Sequence, residues 1–206
     1  MELPKTIRRT LIDMALRRQR SGTGSARKFL TTRTTRLIWP DFTTILKPLP
    51  WAVVGAVATR LYMPERTTQD LDIIIRFEDR QKVSRKLKLA GFVYQGELNI
   101  GGTSWMTPNN KMVDVLEGKE AWLSSALAEA QTNRDAQGLP ILPLPYLVLM
   151  KFQAGRIQDL SDITRMLGQV DEAQLNITRA LFAEYHPQDI EDLESLIVLG
   201  QLEMKN

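Results

Sequence analysis

The chain contains no cysteine and a single histidine, His186. Without cysteine there is no disulfide, no thiolate nucleophile and no zinc site built on sulfur. One histidine, followed by Pro187 and distant from the acidic residues singled out below, gives no basis for a multi-histidine metal centre or a Ser-His-Asp arrangement, and it reads as a surface or helix-end residue. No run approaches the roughly 20 apolar residues that span a bilayer. The leading stretch MELPKTIRRTLIDMALRRQR mixes charges into its apolar positions and lacks a small-residue cleavage site, which argues against a secretory signal. A cytoplasmic protein without a membrane segment is expected. Also missing is the G-x-x-x-x-G-K-[ST] spacing of a phosphate-binding loop. The glycine-bearing stretch 21–25 follows no apolar strand and reads as a linker.

What is present fits a globular fold. With 206 residues, 43% hydrophobic and 25% charged, the chain can bury one core, or one core with an appended helical part. Its net charge of +3 hides an asymmetry, since residues 1–47 hold 11 Lys and Arg against 3 Asp and Glu. Such a segment can attract nucleic acid, dock an acidic partner or simply form a solvated helix face. Within it, Leu3, Ile7, Leu11, Met14 and Leu16 recur at helical spacing, and Arg8, Arg9, Arg17 and Arg18 are expected on the opposite face.

Residues 51–75, WAVVGAVATRLYMPERTTQDLDIII, organise the rest. A short buried strand over 51–54 ends at Gly55, where the backbone can approach a ligand closely. A short helix over 56–62 follows, and its leading amides can face a phosphate. A second strand over 70–77 carries Asp70 and Asp72 on one face, because side chains alternate with period two. Two carboxylates held side by side near Ile73, Ile74 and Ile75 invite a divalent cation, magnesium being the natural candidate. A solvated strand end with Asp70 capping a turn is the plainer alternative.

The pattern continues with a helix over 78–90 whose inner face is Val83, Leu87 and Leu89, a strand over 92–95, and a hairpin of strands 103–107 and 111–116 about the turn 108–110. Asp114 lies in the last of these between Val113 and Val115. If that strand pairs beside 70–77, three carboxylates converge, enough to hold two divalent ions about 3.5–4 Å apart. An edge-strand aspartate facing solvent remains the alternative. A helix over 119–131 and a short strand over 139–142 precede helices over 146–153, 160–167, 171–185 and 188–202. The fold class expected is therefore α+β: a mixed β-sheet core with flanking helices and a C-terminal helical bundle, divided into a basic helical segment 1–47, an α/β core 48–143 and a helical domain 144–206.

The strand, glycine turn and helix, then R-x-T-x-D-x-D at 66–72 and a lone Asp in a later apolar strand, resemble the nucleotidyltransferase superfamily with the polymerase-beta-like fold. Residues 142–167, LPLPYLVLMKFQAGRIQDLSDITRML, resemble the third motif of AbiEii-type toxin nucleotidyltransferases. The resemblance runs from about residue 51 to 167. It implies magnesium-dependent transfer of a nucleoside monophosphate from an NTP to an acceptor hydroxyl, RNA or tRNA foremost, by a defence-type toxin with a cognate antitoxin. It matches Asp70, Asp72 and Asp114 to the metal-binding carboxylates. Gly55 matches the invariant glycine, while Ala56 stands where a phosphate-touching Ser or Gly is usual. Arg66 and Thr68 match positions that shape the approach to the aspartates. Lys151 matches a triphosphate-contacting lysine, and Asp159 and Asp162 match further carboxylates of the third motif.

Other readings compete. Lys151 and Arg156 could face solvent, and Asp159 with Asp162 could cap the next helix. Trp51, Tyr62, Phe77, Trp105 and Trp122 read as core, with one able to stack on a base. A non-catalytic binding module on the same fold is supported by Ala56. Transfer to a small molecule or a protein hydroxyl, and an assembly subunit that uses the N-terminal helix, complete the set.

Overall fold

The computed structural model describes residues 3–18, 38–63, 68 and 70–204. They form two compact units. One contains helix α1 (Lys5–Arg18) and four C-terminal helices, α6 (Leu144–Ala154), α7 (Ile157–Leu167), α8 (Glu172–Tyr185) and α9 (Ile190–Met204). The other contains α2 (Thr43–Leu46), β1 (Ala52–Val53), α3 (Gly55–Ala58), β2 (Asp70–Arg76), α4 (Arg80–Leu89), β3 (Val93–Glu97), β4 (Gly102–Met106), β5 (Met112–Gly118) and α5 (Leu123–Ala130). The expected α+β class is observed. Helix α1 groups with the C-terminal helices, and residues 38–61 group with the sheet.

The sheet has strand order β1-β2-β5-β4-β3. β2 and β5 are parallel, and the remaining pairs are antiparallel. Alternation along β2 and β5 produces two chemically distinct faces. One presents Leu71, Ile73, Ile75, Val113 and Val115, continued on β4 by Trp105, all at most 1% exposed. The aromatic cluster Phe42, Trp51 and Phe92 lies in the same unit, with ring centroids 5.4 and 5.6 Å apart from Phe42. Val83 and Leu87 of α4 are buried as expected, but Leu89 is 83% exposed, so the apolar stripe of this helix is narrower than its spacing implied.

The opposite face of β2 and β5 carries Asp70, Asp72, Ile74, Met112, Asp114 and Leu116. Only part of it is covered. A side chain at Gly118 would collide with Leu123 of α5 at 2.4 Å and approach Ile74 at 3.3 Å, so α5 closes over the C-terminal half of this face. The expected strand over 139–142 is reduced to single bridges, Val53 with Ile141 and Arg134 with Pro140. The Val53 amide donates to the Pro140 carbonyl and the Leu142 amide to the Val53 carbonyl, so this segment caps the β1 edge of the sheet.

In the helical unit, Phe152 and Phe182 meet edge to face at 5.2 Å. α9 crosses the end of α7 with backbone against backbone, since a Cβ on Gly168 would stand 2.3 Å from the Gly200 carbonyl oxygen. The expected solvent-facing arginine stripe on α1 is a second correction. Arg8 is 4% exposed. Its Nη2 donates to Asp189 at 2.6 Å and its Nε to Asp192 at 2.9 Å, while its guanidinium lies 4.3 Å from the Phe152 ring centroid. Arg9 reaches Asp192 at 3.1 Å, Asp13 at 3.0 Å and Glu191 at 3.2 Å. Ile7 and Met14, expected on the inner face, are 48% and 42% exposed. Desolvating a guanidinium beside two carboxylates is tolerable only when all three stay paired. Arg8→Met should therefore destabilise the protein by about 3–5 kcal/mol, the usual result of stranding buried charges. Urea unfolding checks this, and adding Asp189→Asn and Asp192→Asn should recover part of the loss.

Candidate active site

β2 and β5 are in register with Asp72 opposite Asp114, Asp70 opposite Met112 and Leu71 opposite Val113. Register partners point to the same side of a sheet, and neighbouring strands are about 4.8 Å apart, so Asp72 and Asp114 stand side by side. Asp70 lies one pleat away on the same face, at the start of β2. Both members of the pair are half-buried, whereas Asp70 is exposed. Ser104 of β4 is opposite Asp114 and extends the polar row across a third strand. Sequence reasoning missed it, although alternation from the buried Trp105 placed it on this face.

The glycine turn closes directly on this row. Gly55 has φ +65°, and a Cβ there would lie 1.8 Å from Oδ2 of Asp72 and 2.7 Å from its Cγ. The Asp72 carboxylate thus occupies the volume a side chain at 55 would need. The contact is anchored by the Val54 amide donating to the Asp72 carbonyl at 2.9 Å. The expected helix over 56–62 is shorter, α3 being continued only by a 3₁₀ turn, Thr59–Leu61. Ala56 is 5% exposed, so its methyl packs inward. The Thr68 hydroxyl donates to the Asp70 carbonyl at 3.3 Å at the entry to β2. Arg66 lies outside the described residues.

Whether these groups suit a divalent cation turns on their donor chemistry. Magnesium is held by one or two carboxylates together with waters and substrate phosphates, at oxygen ligands only. Asp72 and Asp114 supply such a pair. Asp114 has no hydrogen-bond or ion-pair partner among the described residues, and two carboxylates in register repel one another unless positive charge joins them. A ready-made cage is another matter. Among the described residues no group of three or more His, Cys, Asp or Glu is gathered closely enough to hold a metal, so the expected convergence of three carboxylates is corrected to a pair with Asp70 set apart.

Lys151, Asp159 and Asp162 belong to the helical unit and form a network of their own. Lys151 Nζ donates to Asp159 Oδ1 at 3.2 Å and to Asp162 Oδ2 at 2.8 Å, and all three residues are at most 4% exposed. Arg156 reaches Asp159 at 2.6 Å, and the Gln158 amide donates to Asp162 at 3.1 Å. The alternatives of a solvent-facing Lys151 and of aspartates that merely cap a helix are therefore corrected. The expectation of an ammonium held ready for a triphosphate also changes, since the Lys151 charge is matched by two carboxylates within its own unit. Burial opposes ionisation of Asp159, but hydrogen bonds from Arg156 and Lys151 and their positive charges outweigh it, and the carboxyl is held below its ordinary value of 3.8. Arg17 and Arg18 at the end of α1 are exposed, whereas Arg8 and Arg9 are engaged as described above.

His186 ends α8, as expected of it. Its Nε2 meets the Gln153 amide at 3.1 Å, within a cleft of about 380 Å³ that Arg8, Phe152 and Asp189 also line. Among the aromatic residues read as core, Trp51, Trp105 and Trp122 are buried. Phe77 is half-buried, with Arg80 and Lys119 each 3.9 Å from its ring centroid.

No family model matches the chain, and no curated protein matches it either. Solved structures overlap with it loosely. ANT(2")-Ia in complex with adenylyl-2"-tobramycin aligns at 15% identity over 73% of this chain and 87% of that one, with a TM-score of 0.41. Cid1 in complex with the UTP analog UMPNPP aligns at 12% identity over 85% of this chain and 51% of that one, TM-score 0.29. Terminal uridylyl transferase 4 from Trypanosoma brucei with bound GTP aligns at 12% identity over 79% and 56%, TM-score 0.30. Overlaps this loose transfer neither an activity nor a substrate. Among the described residues no helix is long and apolar enough to cross a membrane.

Two outcomes follow from this geometry. Gly55→Ala should destabilise the protein by more than about 1 kcal/mol, because it violates both the backbone conformation and the volume taken by Asp72. Thermal unfolding measures it, and Asp72→Ala in the same background should restore only the part due to the clash. The second concerns acid. A carboxyl held below 3.8 in the folded state stabilises fully above that value, and the stabilisation is lost as pH falls through the lowered folded value. Urea unfolding between about pH 6 and pH 2.5 should show a shallower acid loss for Asp159→Asn than for the natural chain.

Proposed function

We propose that the chain is a nucleotidyltransferase that moves a nucleoside monophosphate from an NTP to an acceptor hydroxyl on the face shared by β2 and β5. The observation that carries the proposal is the register pairing of Asp72 with Asp114 under the Gly55 turn. Asp72 and Asp114 would hold magnesium, with Asp70 beside them on the same face. When bound, it would neutralise triphosphate charge and lower the pKa of the attacking hydroxyl. Gly55 brings backbone close to the carboxylates without a side chain, and the Gly55 and Ala56 amides are assigned to the triphosphate. Asp114 is assigned the acceptor's proton. The acceptor oxygen bonds to the α-phosphorus, the bond from that phosphorus to the bridging oxygen breaks, and pyrophosphate leaves with the electron pair.

We read the acceptor as RNA, tRNA foremost, and the role as that of a toxin with an antitoxin partner. The charge of residues 1–47 supports the first even with Arg8 and Arg9 engaged, while the second rests on the resemblance of residues 142–167. A binding module that holds nucleotide without turnover is the second reading, and Ala56, buried where a hydroxyl would be useful, favours it. Incubating the protein with each labelled NTP, magnesium and total RNA should label RNA and release pyrophosphate. Asp72→Asn and Asp114→Asn should each reduce turnover about 100-fold or more, roughly 3 kcal/mol of transition-state stabilisation. Undiminished turnover in both variants would remove the carboxylates from the chemistry. Calorimetric binding of NTP with no turnover in the natural chain would select the second reading.

A further inference from the structure

Among the described residues, helix α4 gathers a dense group of cations. α4, RQKVSRKLKL, carries Arg80, Lys82, Arg85, Lys86 and Lys88 and no acidic residue. Arg80 is turned to the Phe77 ring and carbonyl, and Lys82 is 3.7 Å from Asp79 at the start of the helix. The C-terminal half differs. Arg85 and Lys88 are exposed and have no ion-pair partner among the described residues, and Lys86 donates to the carbonyl of the exposed Lys47 at 2.8 Å. One or two cations suffice to offset the carbonyls at a helix end. Three within four residues, joined by a fourth from another segment, exceed that need.

The register of the sheet fixes where this charge lies. Asp70 is opposite Met112, Met112 opposite Met106, and Met106 opposite Val93, so these four residues mark one end of the sheet. α4 finishes four residues before Val93. A Cβ on Gly91, two residues past α4, would touch the Pro108 ring at 3.6 Å, so the helix end abuts the turn between β4 and β5. That turn ends in Lys111, the residue before Met112, whose Nζ donates to the Ile38 carbonyl at 2.6 Å. Lys47, Lys86, Lys88 and Lys111 therefore form a band along the end of the sheet where Asp70 lies, and Lys111 begins only one strand, about 4.8 Å, from β2. The other end of the sheet carries mixed charge from Arg76, Glu78, Asp79, Glu117 and Lys119, and burial pushes the Glu117 carboxyl up.

We propose that the phosphodiester backbone of the nucleic-acid acceptor lies along this band, with Arg85 flanking it, and enters the carboxylate face past Lys111. The inference rests on the nucleotidyl-transfer reading for the direction of entry, but not for the binding itself. Cations at this spacing neutralise successive phosphates and balance the repulsion that Asp70, Asp72 and Asp114 exert on the incoming strand.

The test is binding of a fluorescein-labelled single-stranded RNA 20-mer, followed by anisotropy across a salt series. Arg85→Gln/Lys86→Gln/Lys88→Gln should weaken binding at least tenfold. It should also reduce the slope of log K against log salt by about 2, at roughly 0.7 for each phosphate left without its cation. Lys88→Glu alone serves as a single surface change that leaves the fold intact and should weaken binding several-fold. Unchanged affinity and slope in both variants would overturn the band. RNA binding no tighter than binding of polyglutamate of equal length would reassign it to an acidic partner. Asp72→Asn separates the two readings. Retained RNA binding with no transfer by the natural chain or the variant upholds the band and defeats the enzyme, whereas RNA labelling that survives in the triple variant defeats the band and upholds the enzyme.

Discussion

The contact between Gly55 and the Asp72 carboxylate is the constraint on which the candidate site depends. It is a matter of volume before it is one of chemistry, because Oδ2 of Asp72 sits where any side chain at position 55 would begin. That single exclusion fixes β1, the turn and α3 relative to β2, with the Val54 amide on the Asp72 carbonyl holding the approach. Parallel pairing of β2 with β5 does the rest. A one-residue slip would turn Asp114 into the apolar face and bring Val113 or Val115 to Asp72. Five apolar side chains buried to within 1% on the other side make that slip costly, so the core sets the geometry of the polar row.

Parallel neighbours need a crossover, and here it is long: α4, β3 and β4 all intervene between β2 and β5. The same connection that allows Asp72 to meet Asp114 therefore carries α4 and the turn before Lys111 to the open end of the sheet. Topology thus couples the acidic row to the basic band. Formal charge shows none of this. It assigns the excess of Lys and Arg to residues 1–47, yet Arg8 and Arg9 answer Asp189, Glu191 and Asp192, and the exposed cations of α4 lie in a region that is acidic on average.

What the sequence disclosed is what local periodicity encodes. Apolar runs interrupted by aspartates revealed β2 and β5, and the asparagine turn, with Asn110 at φ +57°, revealed the hairpin. Asp70 and Asp72 on one face followed from period two alone. Pairing partners were not encoded locally. Lys151 meets Asp159 and Asp162 across the break at Gly155, and nothing in the spacing tells a lysine that turns to a neighbouring helix from one that turns to a ligand. Arg8 was misread for the same reason, since its partners lie more than 180 residues away. Ser104 was legible and overlooked, because a hydroxyl in a strand attracts no notice until its cross-strand neighbour is known.

The competing binding-module reading draws on Ala56, and its weakness is energetic. Two carboxylates in register on adjacent strands repel each other, and they do so beside Ile74 on a half-covered face where the dielectric is lower than in water. Gly55 adds to the same account, since a positive φ at a residue without a side chain carries an entropy penalty that a binding loop could avoid. A hydroxyl missing at position 56 removes one hydrogen bond, worth about 1 kcal/mol, while the backbone amides beside it stay in place. On the proposed reading, a magnesium ion carrying the triphosphate is what would join Asp72 to Asp114.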